Sequence, residues 1–161
     1  MSHDHNLSIM RQYLIVILLI LTGCVHGFAQ DNLRIGIKMN GSYRNNPNAS
    51  ETILIGDNKL KRIGVTLYHS LSVSDDPAFP EEVEPLLLVD VKSAIDREVM
   101  YRSGKLYYGF YALPSIKKDG KNINRYIFYL NQFPVKGKQV IMIYVEGTAS
   151  PQQIKDKLLK Q

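Results

Sequence analysis

From Ile63 to Val73 every second residue is apolar except one, which is a histidine. In RIGVTLYHSLSVS, Ile63, Val65, Leu67, Leu71 and Val73 alternate with Gly64, Thr66, Tyr68, Ser70 and Ser72. A period of two sends successive side chains to opposite faces of an extended chain. The run therefore predicts a strand with one face in a core and the other toward water. His69 falls on the apolar face, where the expectation is a buried or edge imidazole with one hydrogen-bond partner. As a general base it would need an orienting acid and a positioned substrate, and its sequence neighbours supply neither.

Similar signals fill most of the chain. LRIGIKM predicts a strand with Leu33, Ile35, Ile37 and Met39 on one face and Arg34 and Lys38 on the other. NGSYRNNPNAS is a turn-forming loop, and TILIGDNKLKR reads as a short strand and a turn. EPLLLVDVKS predicts a strand buried on both faces over Leu86–Val89. AIDREVMYRSG fits a helical turn or a strand entering a hairpin, with Gly104 as the breaker. KLYYGFYAL and NRYIFYLNQF flank a connection holding Asp119-Gly120, a hairpin signal. With KQVIMIYVEG they make three consecutive antiparallel neighbours. In TASPQQIKDKLLKQ, Ser150 caps a helix, Pro151 suits its first position and Gln153 completes a box. Ile154 and Leu158 then share the face that docks on the sheet. The expected class is mainly β: an antiparallel β-sandwich or curved sheet of about seven strands with one C-terminal helix. A barrel is the alternative.

Charge narrows the partners. The 161 residues carry a net charge of +5, and no block of like charge resembles a nucleic-acid tail. SDDPAFPEEVEP gathers Asp75, Asp76, Glu81, Glu82 and Glu84 in one acidic loop with no base. Basic groups stand at Lys59, Lys61 and Arg62, and again at Lys117, Lys118, Lys121 and Arg125. Solvated loop charge is the simple reading, and steering of a partner the functional one.

The N-terminus has the parts of a secretory leader: Arg11, an apolar run of about a dozen residues from Tyr13, then small residues. That run is shorter than the roughly 20 residues a membrane-spanning helix needs. The stretch Leu21-Thr22-Gly23-Cys24 resembles the bacterial lipobox. That resemblance implies that Cys24 becomes the first mature residue and carries acyl chains on its sulfur. A thiol is the required nucleophile there, and Gly23 leaves room for the peptidase. Each buried methylene adds about 0.8 kcal/mol, so two or three chains would anchor the protein firmly. The competing site is GFAQ, with Gly27 and Ala29 before Gln30, which resembles leaders of secreted Bacteroidota proteins. From Met1 the lipoprotein leader has an ordinary length; from Met10 it is short. The chain thus divides into a leader, residues 1–29, and one β-rich domain, residues 30–161. Its location is the outer membrane or periplasm if lipidated, or outside the cell if cleaved before Gln30. Cys24 is the single cysteine, so no intrachain disulfide can form.

Chemistry-bearing motifs are few. The aromatic residues Tyr101, Tyr107, Tyr108, Phe110, Tyr111, Tyr126, Phe128, Tyr129 and Tyr144 crowd the second half. Alternation puts Tyr108 and Phe110 on one face of their strand and Tyr107 and Tyr111 on the other. Core packing accounts for such residues, while an exposed tyrosine face would suit a protein or sugar ligand. The acidic loop lacks the glycine of a compact calcium loop. His3 and His5 lie in the leader without a third ligand. No metal or other cofactor is expected, and no nucleophile elbow, phosphate loop or zinc motif occurs. The composite expectation is a non-catalytic envelope protein that binds another macromolecule. Its candidate surface combines Tyr107 and Tyr111 with Asp75, Asp76, Glu81, Glu82 and Glu84. The alternatives are an inhibitor or immunity-type lipoprotein with the acidic loop as plug, and a small ligand carrier or enzyme with a pocket in a curved sheet.

Overall fold

Six antiparallel strands form one open sheet in the computed structural model, which describes residues 32–135 and 138–159. Cys24, His3, His5, both candidate start sites and both cleavage sites lie outside the described residues, as does the Leu158 side chain. The unit Leu33–Gln161 is described by itself.

The elements in order are α1 (Gly36–Met39), β1 (Ala49–Ile55), α2 (Asn58–Lys61), β2 (Val65–Ser74), α3 (Phe79–Asp90), β3 (Asp96–Arg102), β4 (Lys105–Lys118), β5 (Lys121–Asn131), β6 (Gln139–Gly147) and α4 (Pro151–Ile154). Short 3-10 turns follow α3 and β5, and a π-helical turn, Lys155–Leu159, continues α4. Across the sheet the strands run β1-β2-β6-β5-β4-β3, leaving β1 and β3 as edges. Two hairpins turn on residue pairs with positive φ at both positions: Ser103 (50°) with Gly104 (72°), and Asp119 (49°) with Gly120 (73°). That is the signature of the type I′ turn, whose twist matches that of paired strands. The strands around Asp119-Gly120 therefore run right up to the turn, and PSIKK is strand rather than connection.

Both faces of the sheet are covered by side-chain packing. One cluster joins Leu71, Val73, Ile127, Tyr129, Val140, Met142 and Tyr144 of the strands to Phe79, Val83 and Leu87 of α3. The other joins Phe110, Ala112, Tyr126, Ile143 and Val145 to Ala149 and Ile154 at the chain's end. In β2 the buried positions are Val65, Leu67, His69, Leu71 and Val73, as the alternation predicts. A bulge between Val65 and Leu67 then carries Val65 to the opposite face. Ser150 caps α4 with the full capping box, and Ile154 is buried.

Three expectations need correction. Residues 33–39 are a turn and a short helix, not a strand: Ile35 and Met39 are buried four apart, and Ile37 is 60% exposed. The Asp90 carboxylate fixes this start by accepting the Arg34 N–H at 2.7 Å and the Ile35 N–H at 2.8 Å. Second, the acidic loop from Phe79 onward and the supposed strand over Leu86–Val89 together form α3, while Asp75 and Asp76 stay in the turn before it. Phe79, Val83, Leu87 and Val91 recur every fourth residue and are buried, while Leu88 and Val89 face solvent. Pro80 sits in the first turn, where its missing N–H costs nothing. Third, the strand number among the described residues is therefore six in a single sheet, with helices rather than a second sheet against it.

Candidate functional site

A cleft of about 450 Å³ opens between α3 and the hairpin that joins β3 to β4. Each wall has a local cause. On α3, Glu81, Glu84 and Leu88 are spaced three and four apart, so they share the stripe opposite the buried Phe79, Val83 and Leu87. Pro77 and Pro80 close the end of this wall. The Ser103-Gly104 turn sets Tyr101 and Lys105 on the facing rim, with Tyr101 59% exposed and Leu106 buried beneath them. The floor is completed by Asn131 and Phe133. The Asn131 side-chain carbonyl accepts the Phe133 N–H at 3.0 Å and so holds the turn after β5 in place.

Glu84 is the fixed point of the cleft. Its Oε1 accepts the Tyr129 hydroxyl at 2.8 Å and the Asn131 amide at 3.4 Å. Tyr129 and Asn131 are both buried in the sheet, so the carboxylate is held from behind. Burial, and then the Glu84 charge, push the Tyr129 phenol far above its ordinary range, which keeps it a hydrogen-bond donor. Neither Glu81 nor Glu84 enters an ion pair among the described residues.

Of the residues singled out from sequence, the cleft gathers Glu81 and Glu84 only. Glu82 points elsewhere, pairing with Lys38, which holds its carboxyl below the ordinary range. Asp75 lies 3.5 Å from Lys138, and Asp76 caps the Ala78 N–H at 3.1 Å. Tyr107 is half-buried beside Arg102. Tyr111 is not on an exposed face: it is 2% exposed, and its ring lies across Gly109, where a Cβ would fall 2.5 Å from the ring. Burial pushes its phenol up to about 12. On the other face the aromatics pair across strands, Tyr108 edge-on to Phe128 and Phe110 stacked with Tyr126.

Sequence reasoning missed Lys105, Leu88, Asn131 and Phe133 as site residues, and named Tyr101 only within the aromatic cluster. The fourfold repeat Phe79-Val83-Leu87-Val91 was the available signal for α3, and with it for the Glu81–Glu84–Leu88 stripe. His69 does have an orienting acid, which sequence distance concealed. Its Nε2 lies 2.8 Å from Glu51 Oε1, because β1 pairs with β2 and sets Ile53 opposite His69. This pair is separate from the cleft residues.

Residues 22–158 match the family of unknown function DUF6108. The chain belongs to that family. The matched region takes in Cys24 as well as all six strands and the cleft. No curated protein and no solved structure matches the chain. Among the described residues, no helix is long and apolar enough to cross a membrane.

Proposed function

We propose that this family member is a non-catalytic binding protein of the cell envelope, exported by its leader and held at a membrane through acylated Cys24. The observation that carries the binding reading is the cleft beside α3. It combines an exposed apolar rim, Leu88 and Tyr101, with two carboxylates that form no ion pair among the described residues. Among the described residues its lining contains no serine, cysteine or histidine, which supports binding rather than covalent turnover through those side chains. The volume suits one inserted side chain or a small ligand, so a partner would dock over the rim with a single anchor in the cleft. In the inhibitor reading, the acidic segment would present a rigid helix rather than a pliable plug.

Two experiments test this proposal. Crosslinking from the cell surface, with Leu88→Asp and Tyr101→Asp as controls, should trap a partner that both variants lose. Trapping that is indifferent to both substitutions would remove the cleft from the binding surface. Labelling with radioactive fatty acid should mark the protein and fail in Cys24→Ser. Undiminished labelling of that variant would exclude the anchor.

A further inference from the structure

We infer that the cleft beside α3 recognises a primary ammonium group on an alkyl chain, with Glu84 and Glu81 as its acceptors. This rests on the reading of the cleft as the binding surface and adds the chemical class of what enters it.

Acceptors dominate the lining. Glu84 has Oε1 engaged by Tyr129 and Asn131, and no hydrogen bond to its Oε2 occurs among the described residues. Glu81 stands one turn earlier on the same stripe, and its carboxylate has no ion pair among the described residues. Pro85, four residues after Glu81, has no N–H to give to the Glu81 carbonyl, so the helix offers one more acceptor there. Pro77 and Pro80 contribute no N–H either. Lys105, exposed at the rim, is the one cationic side chain of the lining. A ligand that satisfies this surface must bring donors and positive charge.

The remaining wall, Leu88, Tyr101, Leu106 and Phe133, is apolar and aromatic. It suits the methylene chain behind an ammonium and offers ring faces to the charge.

The source of the ammonium is either a lysine side chain of a partner protein or a free alkylamine. Titrating the 15N-labelled protein with N-acetyl-lysine methylamide should shift the amides of Glu81, Glu84, Leu88, Gly104 and Lys105. The norleucine analogue, which keeps the four-carbon chain and lacks the ammonium, should bind at least tenfold more weakly. Glu84→Gln should weaken the lysine probe about tenfold and leave the norleucine probe unchanged, while Lys105→Met should tighten the lysine probe. If n-butylamine binds as well as the lysine amide, the ligand is a free amine; if the lysine amide is tighter, the source is a protein side chain. Equal binding of lysine and norleucine probes, or indifference to Glu84→Gln, would overturn the ammonium assignment while leaving the cleft a binding surface. Absence of shifts with every probe at millimolar concentration would overturn it as well, and the crosslinking experiment would then judge the cleft independently.

Discussion

Lys118 reaches across β5 to Glu146: its Nζ lies 2.6 Å from Glu146 Oε2, although β4 and β6 are not neighbours in the sheet. Glu146 is 2% exposed, and its other oxygen accepts the Tyr144 hydroxyl at 2.7 Å. The end of the β4–β5 hairpin is thereby tied to the centre of the sheet.

Removing the cation should expose the cost of that burial. Lys118→Met leaves the Glu146 carboxylate buried without its counter-charge and should destabilise the protein by about 2–3 kcal/mol in urea unfolding, below the full range because Lys118 is partly exposed. Lys118→Met combined with Glu146→Gln should recover more than half of the loss. A single variant as stable as the parent would show that Arg125, opposite Glu146 in the β5–β6 register, already compensates the carboxylate.

Two buried tyrosines should respond in opposite ways to loss of the hydroxyl. Tyr129→Phe deletes the donor to Glu84 and should cost about 1–2 kcal/mol. Tyr111→Phe deletes a hydroxyl that makes no hydrogen bond among the described residues, so stability should stay level or rise. A comparable loss in both variants would mean that the Tyr111 oxygen is satisfied by water or an unseen ligand.

Gly109 is needed for what lies on it. Gly109→Ala places a methyl into the Tyr111 ring and should destabilise by about 1–3 kcal/mol through overpacking. The penalty should shrink in a Tyr111→Ala background, a non-additivity read directly from a double-mutant cycle. Equal penalties in both backgrounds would locate the strain elsewhere.

Alkali should unfold the protein through its phenols. Unfolded tyrosines titrate near 10, whereas Tyr111 is pushed up to about 12, and Tyr129 and Tyr144 go higher still by burial. A folded pKa above the unfolded one means that the folded state holds the proton more tightly. The resulting stability is complete below pH 10 and is lost as pH rises through the folded values, from 10 to 12 for Tyr111. Absorbance at 295 nm should show the buried Tyr111, Tyr129 and Tyr144 phenols titrating only together with the loss of far-UV ellipticity. A single reversible titration of all of them in the native fold would contradict their burial.

Period-two alternation made β2 legible, because a strand's two faces are decided by neighbours in the chain. The Asp119-Gly120 turn and the Ser150 cap were legible for the same reason: each is satisfied within four residues. The segments that misled were those whose partners are distant. Leu33–Met39 fits two periods, and the Asp90 carboxylate, 55 residues beyond Ile35, decides for the helix by taking its first N–H groups. Leu86–Val89 looks doubly buried as a string, yet packing on the sheet needs only Val83 and Leu87 and leaves Leu88 to the cleft. Sequence alone determined that the chain is β-rich and antiparallel over its second half and where its closing helix begins, since those depend on local spacing and on turn chemistry. Tertiary structure alone decided the strand order, the burial of Tyr111 and the meeting of Glu84 with Tyr129 and Asn131. Those depend on which distant surfaces exclude water together, and no local pattern encodes that.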